Sequence, residues 1–237
     1  MTEEKKSSLG HMPGGKWEFD RSVTSVFDDM IERSIPQYAA MRDLVDEVAT
    51  PFLTPGSGKV LDLGCSTGLA IARFATRARA IVGVEISESM LEAARTRFTS
   101  YSNVTIVEMD LRRDFPDVVD VDFILSIFTL QFIPVEHRRK VVRRAWQALR
   151  PGGAMIVAEK MIAETGEAQQ MFDHVYHGFK SQQGYSQEEI ERKALSLEGR
   201  LVANTASENE AMLKAAGFES VESIWRWVSF GAWIAIK

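Results

Sequence analysis

The sequence predicts a doubly wound α/β domain: a mostly parallel, seven-stranded sheet with helices on both faces, a helical appendage in front, and a helical lid between strands five and six. Three observations predict it. Apolar runs of strand length alternate with helical periodicity from residue 60 onward, the first run breaks into a glycine turn within VLDLGCSTG, and the second ends in an acid, Glu85, twenty-one residues after Gly64. That spacing sets a carboxylate beside a ribose in a strand–helix–strand unit.

Residues 1–16 are polar, glycine-punctuated and aperiodic, and read as a mobile tail ahead of a single domain over 17–237. Behind a cap at Asp20 or Ser22, the side chains of Val23, Val26, Phe27, Met30 and Ile31 recur at helical spacing. Pro36 stops that helix, and residues 38–52 form a second with Met41, Leu44, Val45 and Val48 inward. The pair, residues 17–52, is an appendage able to cover a ligand.

Val60, Leu61 and Leu63 are the buried end of the first strand, Gly64 and Gly68 bracket the turn, and Leu69, Ile71, Ala72 and Ala75 fit a helical face. Gly64 lets the backbone approach a ligand, and a helix there presents free N–H groups and a positive dipole end. Ser66 stands where a dinucleotide fingerprint has its second glycine, so a nucleoside with a charged tail fits better than a pyrophosphate.

Residues 80–84 are the second strand. A helix over 87–98 turns Met90, Leu91 and Ala94 inward, and a third strand at 104–108 leads to Asp110-Leu111, where an acid can accept from an adenine amino group. The fourth strand, 123–128, is apolar on both faces and therefore central; it runs into Thr129-Leu130-Gln131-Phe132 at the carboxyl end, where ligands sit in open parallel sheets. The helix over 135–149 carries Arg138, Arg139, Lys140, Arg143 and Arg144 on what reads as a solvated face. Pro151-Gly152-Gly153 turns into strand five at 154–159.

Residues 160–206 then interrupt the sheet with helices at 167–180 and 186–198, placed over its carboxyl edge as a lid and acceptor site. A helix at 208–216, stopped by Gly217, precedes an antiparallel hairpin of 220–228 and 231–236. Its aromatic residues Trp225, Trp227, Phe230 and Trp233 read as core or dimer contact.

At 237 residues, 45% hydrophobic and 26% charged, the chain has the balance of one soluble domain. A net charge of −5 gives no general attraction to nucleic acid, and direct nucleic-acid binding is not expected. The single cysteine, Cys65, excludes an internal disulfide or a cysteine-rich zinc site and fits a cytoplasmic protein. No signal peptide or membrane span is expected, since no apolar run approaches the ~18 residues that a bilayer needs.

The motif DLGCSTG followed by VGVE, with LRPGG before the fifth strand, resembles the class I S-adenosylmethionine (SAM) methyltransferases. The resemblance implies their Rossmann-like fold and SAM as cofactor. A more specific set of segments, FDRSVTSVFDDMIERSIPQY, FTLQFI, EK, GFKSQQGYSQEEI, KAAGFESVESIW and FGAWIAIK, resembles the carboxy-SAM synthases over residues 17–237. That resemblance implies a homodimer that converts SAM and prephenate to carboxy-SAM, which a partner enzyme transfers to wobble uridine in tRNA. It puts Tyr38, Gly64, Cys65, Ser66, Glu85, Ile86, Asp110 and Leu111 at the cofactor, and Asp62, Gly68, Met90 and Ile127 complete the expected set.

Two positions depart from that family. Ile127 replaces the asparagine before FTLQF, and Ala194 replaces an arginine in the helix after GYS. The resemblance gives that arginine the task of neutralising the extra carboxylate, and a buried carboxylate left without its partner costs on the order of 3–5 kcal/mol. Arg192 faces about 160° away from position 194 on an ideal helix. The expected reaction is therefore transfer of the sulfonium methyl to a small-molecule acceptor, with carboxy-SAM synthesis, or SAM binding without turnover, as alternatives.

Candidates for a base or an acceptor-orienting group are His174, Tyr176, His177, Lys180 and Tyr185 on the lid. His174 and His177 are an i, i+3 pair with Asp173 nearby, too little for a metal site; one is expected in the acceptor pocket and the other at the surface. No N-P-P-Y motif is present and Cys65 lies in the turn, which argues against DNA or protein-amide methylation and against a cysteine-mediated uracil C5 mechanism.

Overall fold

The computed structural model describes residues 15–237, so the tail expected at 1–16 lies almost wholly outside the described residues. Side-chain parity organises the sheet. Val60, Phe123, Leu125, Ile156 and Ala158 point to one face, while Leu61, Leu63, Ile124, Met155 and Val157 point to the other, and all are buried. Strands apolar on both faces need helices on both.

The strands are β1 (Lys59–Leu63), β2 (Ala80–Glu85), β3 (Val104–Glu108), β4 (Val121–Ile127), β5 (Leu149–Lys160), β6 (Ser220–Trp227) and β7 (Phe230–Ile236). They lie in the order β3-β2-β1-β4-β5-β7-β6, with β7 antiparallel to both neighbours. Strand order reverses between β1 and β4, and the crevice beyond their carboxyl ends is where such sheets take ligands.

Helix α1 (Arg21–Ser34) starts where the Asp20 carboxylate accepts from Val23 N at 2.9 Å, and α2 (Tyr38–Ala49) continues into one 3-10 turn, Thr50–Phe52. The sheet's flanks carry α3 (Glu88–Arg97), capped by Ser87, and α4 (Val135–Ala148). After β5 come α5 (Gly166–Gln182), α6 (Gln187–Leu197) and α7 (Ala206–Ala216), the last two opened by capping boxes Ser186/Glu189 and Thr205/Glu208. Met41, Val45 and Ala49 of α2 cover one face of the sheet; Val141, Val142 and Ala145 of α4 with Met212 and Leu213 of α7 cover the other. No helix among the described residues is long and apolar enough to cross a membrane.

Two elements differ from expectation. The helix expected after the glycine turn is a four-residue 3-10 helix, Ile71–Phe74, because the chain has only the residues between Gly68 and Ala80 in which to return to β2. Four residues carry little macrodipole. Arg138 is not on a solvated face: it is 2% exposed and shares the inward stripe of Val141, Val142 and Ala145. Its guanidinium donates to Ile133 O (2.7 Å), Asn204 Oδ1 (2.9 Å) and Val202 O (2.7 Å), tying the segment after β4 to the chain that leaves the lid.

Candidate active site

The site begins where β1 stops. Gly64 sits at φ 79°, in the left-handed region, and an added Cβ would collide with Thr129. Gly64 N and Cys65 N both donate to Val84 O, at 2.8 and 2.9 Å. Glu85, closing β2, accepts from Ser66 N (2.9 Å) through one oxygen and from Ile86 N (2.7 Å) and Ser87 N (2.9 Å) through the other. Its carboxylate thus shapes the turn as well as facing a cavity of about 340 Å³, lined by Ser66, Glu85, Ile86, Asp110 and Leu111. Asp110 is already gripped by the Arg112 guanidinium, 2.7 Å to each oxygen, which holds its carboxyl below the usual range.

A second cavity, about 380 Å³, opens on the other side of the turn beneath Phe27, Met30, Ile31 and Ser34 of α1. Tyr38 lines it, and burial pushes its phenol pKa up. Asp62 lines it too: it is 1% exposed, and its Oδ2 has no hydrogen-bond partner among the described residues. Burial, then the charge of Glu85, push the Asp62 pKa up to about 8. An orphaned carboxyl oxygen there suits a ligand ammonium, which would restore the ionised form. A nucleoside against Glu85, with an amino-acid tail reaching Asp62, fits both cavities.

Phe128 lies at their junction, with Trp17, Phe19, Gly64, Ser66 and Phe132 also shared by both. It lines both, and at φ 57° it occupies the left-handed region, which costs a bulky residue about 1–3 kcal/mol. The surroundings impose it: Phe128 N donates to Ala158 O (2.7 Å), and the buried Glu159 carboxylate accepts from Leu130 N (2.9 Å) and Gln131 N (3.0 Å). Burial pushes the Glu159 pKa up to about 8 against the pull of those amides.

The far wall of the larger cavity is cationic. Lys160 at the end of β5, Lys180 on α5 and Lys193 on α6 all line it, Lys180 only 4% and Lys193 only 8% exposed. None of the three is in a salt bridge among the described residues. Aromatic rings hold them instead. Tyr176 lies 5.0 Å from Lys160 Nζ and 5.4 Å from Lys180 Nζ; Tyr185 lies 5.2 Å from Lys180 and 5.9 Å from Lys193; Trp17 lies 5.2 Å from Lys193.

Such contacts stabilise a cation by about 0.5–2 kcal/mol each without neutralising it. Ser34 gathers the wall, accepting from Lys193 Nζ (3.1 Å) on its hydroxyl and from Tyr176 Oη (2.9 Å) on its carbonyl, with Tyr185 Oη 3.3 Å from the hydroxyl. Burial and mutual repulsion lower Lys180 to about 8 and Lys193 to about 7.

Of the lid candidates, Tyr176, His177 and Lys180 line this cavity, and Tyr185 stands behind Ser34 and Lys193. His174 faces a separate groove with Gln37 and Trp227, so the i, i+3 spacing does not bring the histidines together. Met90 packs with Val23, Phe27 and Met30, and Gly68 faces Phe98; neither lines either of the two cavities described above. Phe230, expected as core or dimer contact, is buried in the core and also lines the lysine cavity, edge-on to Tyr176 at 5.2 Å. Ile127 and Ala194 line it as well, whereas Arg192 is exposed and bonded to Glu188 at 3.4 Å. Lys160 and Lys193 are absent from the expected set, and Lys193 carried a signal in the sequence. Its signal was spacing: it falls on the apolar stripe of Ile190 and Leu197, where a lysine must meet the interior.

Sheet order, glycine turn and acid-lined crevice define a class I SAM-dependent methyltransferase fold, and SAM is its cofactor. A profile for a methyltransferase domain matches residues 60–153, and the crystal structure of the YcgJ protein from Bacillus subtilis superposes with a TM-score of 0.61 at 18% identity, covering 80% of this chain and 72% of that one. The carboxy-S-adenosyl-L-methionine synthase of Wolinella succinogenes is 40% identical over 227 residues, 94% of each chain. That of Campylobacter fetus is 36% identical over 225 residues, 94% of this chain and 95% of its own. The chain belongs to the carboxy-S-adenosyl-L-methionine synthase family.

Proposed function

We propose that this protein makes carboxy-SAM from SAM and prephenate, in preference to methylating an ordinary acceptor. The observation that carries the reading is the wall of Lys160, Lys180 and Lys193 beside the cofactor turn, Lys180 and Lys193 buried and none of the three in a salt bridge among the described residues. Gathering three like charges, two of them buried, is costly, and a neutral methyl acceptor would leave that cost unrelieved. A dianion relieves it. The relatives named above, both carboxy-SAM synthases, support the same choice.

SAM supplies a sulfonium methyl acidic enough to give up a proton, and the overall balance is SAM plus prephenate to carboxy-SAM, phenylpyruvate and water. The protein's part is orientation. Asp62 and Glu85 suit the ammonium and ribose, Phe128 lies where the two cavities meet, and the lysine wall aligns the anion. Tyr176 and His177 stand close enough to that wall to orient the same ligand. Both ligands are small molecules, and the net charge of −5 supports a protein that hands its product on instead of binding RNA itself.

One pair of residues favours a second reading, methyl transfer to a carboxylate-bearing acceptor: Ile127 and Ala194 make apolar what the family resemblance makes an amide and a guanidinium. Incubation of the purified protein with SAM, with and without prephenate, separates the two. Carboxy-SAM and phenylpyruvate formed together, only when prephenate is present, is the expected outcome; no carboxy-SAM under any condition sinks the proposal. S-adenosylhomocysteine accumulating with a carboxylate acceptor would establish the second reading, and neither product would leave binding without turnover.

A further inference from the structure

We infer that residues 16–19 are a strap that closes both cavities in one movement, and that Trp17, its anchor, couples occupancy of the nucleoside cavity to occupancy of the lysine cavity. Closure over the nucleoside stands apart from the reading above. The coupling rests on it, because prephenate is the probe.

Of the residues common to the two cavities, Gly64, Ser66, Phe128 and Phe132 belong to the glycine turn and to the segment after β4. Trp17 and Phe19 come from outside the sheet and its loops. Trp17 is 5% exposed although Lys16 and Glu18 on either side of it are in solvent, the alternation of an extended segment laid over a surface. The Trp17 ring meets Phe19 edge-on at 6.0 Å, and Phe19 meets Phe132 edge-on at 5.0 Å, so the inward side chains rest on the junction of the cavities.

Each end of the strap is tied to the rim of a different cavity. On the lysine side, Trp17 N donates to Ser196 O (2.9 Å) and Lys16 Nζ to Glu198 O (2.8 Å), both at the end of α6, and the Trp17 ring lies 5.2 Å from Lys193 Nζ. On the nucleoside side, Ser87 Oγ donates to Phe19 O at 2.5 Å, while Ser87 N donates to the Glu85 carboxylate at 2.9 Å. One serine therefore joins the ribose acid to the strap. A ligand that steadies either rim steadies a tie that the other rim also needs.

The movement belongs to the strap and not to α1. Asp28 of α1 accepts from Thr67 Oγ1 in the glycine turn (2.6 Å) and from Arg97 on α3 (2.5 Å), which bolts the roof down. Residues 17–20 lie outside helix and strand, and segments without a ladder or helix open at lower cost than the elements around them. A closed strap over both ligands also keeps water from the reacting carbon.

The test is hydrogen–deuterium exchange of the full-length protein, followed by mass spectrometry, alone and with S-adenosylhomocysteine, prephenate or both. Exchange in peptides covering residues 16–20 should slow about tenfold or more with S-adenosylhomocysteine, and further with both ligands, while peptides of β7 are unchanged. Exchange at 16–20 that no ligand alters overturns the strap, as does equal slowing in β7, which marks a general gain in stability. By calorimetry, S-adenosylhomocysteine should raise prephenate affinity about fivefold or more. Trp17→Ala, its fold verified by a thermal melt, should abolish that gain, and Trp17→Phe, which keeps a ring against Phe19 and Lys193, should retain most of it. Equal prephenate affinity with and without S-adenosylhomocysteine, or a gain that survives in W17A, overturns the coupling. Slowed exchange in a protein that makes no carboxy-SAM leaves the strap standing and sinks the synthase reading; carboxy-SAM formed with exchange unaltered does the reverse.

Discussion

Asp62 and the lysines occupy one cavity and titrate in opposite senses. The Asp62 pKa is raised to about 8, so ligand ammonium binding must expel a proton below that pH. Asp62→Asn removes the charge that the ammonium seeks: SAM affinity should fall about 10- to 100-fold, ~1.5–3 kcal/mol, while calorimetry shows the proton release abolished. For Lys180 and Lys193, depressed to about 8 and 7, the unfolded chain binds protons first, so their contribution to stability rises as pH climbs from about 7 toward the ordinary lysine value.

Anion binding needs the protonated forms and runs the other way. Prephenate affinity should weaken as pH passes through about 7 to 8, with proton uptake on binding; affinity constant across that window would mean that the lysines do not hold the anion. At this scale Gly64 and Glu85 stood out from local pattern, and Tyr38 only through the family resemblance. Lys193 did not, because its burial depends on which face of α6 meets α1, a contact between residues far apart in sequence.

The segment between β4 and α4 matters most among the elements, since it places Phe128 and receives two braces. Glu159 holds its amides from below, and Arg138 holds its far end. Glu159→Ala leaves two buried N–H groups without an acceptor and should destabilise the fold by about 2–4 kcal/mol in chemical denaturation. It should also weaken S-adenosylhomocysteine binding, because the strained Phe128 conformation loses its support; Glu159→Gln, which keeps one acceptor oxygen, should lose less. Denaturation midpoints of both variants equal to the parent's would show that the brace is not needed. Strands and the lid helices were readable from period and punctuation, whereas the shrunken helix after Gly68 was not: its apolar spacing fits a helix, and only the distance back to β2 limits it.

Over the whole molecule, the reversal of strand order between β1 and β4 sets the crevice, α1 roofs it, and α5 and α6 bring the cations. The division into two adjoining cavities, one acid-lined and one lysine-lined, suits two ligands held side by side. Family and cofactor were visible in contiguous motifs. The chemistry of the second ligand was not, because Lys160, Lys180 and Lys193 come from three elements and converge only in the fold.

The most direct measurement follows the transferred carbon. Prephenate labelled with carbon-13 at its ring carboxylate is incubated with the protein and unlabelled SAM, and the nucleosides are analysed by mass spectrometry. The account predicts carboxy-SAM carrying the label, with phenylpyruvate unlabelled. Label absent from every nucleoside, with SAM unchanged or converted to S-adenosylhomocysteine, would contradict it.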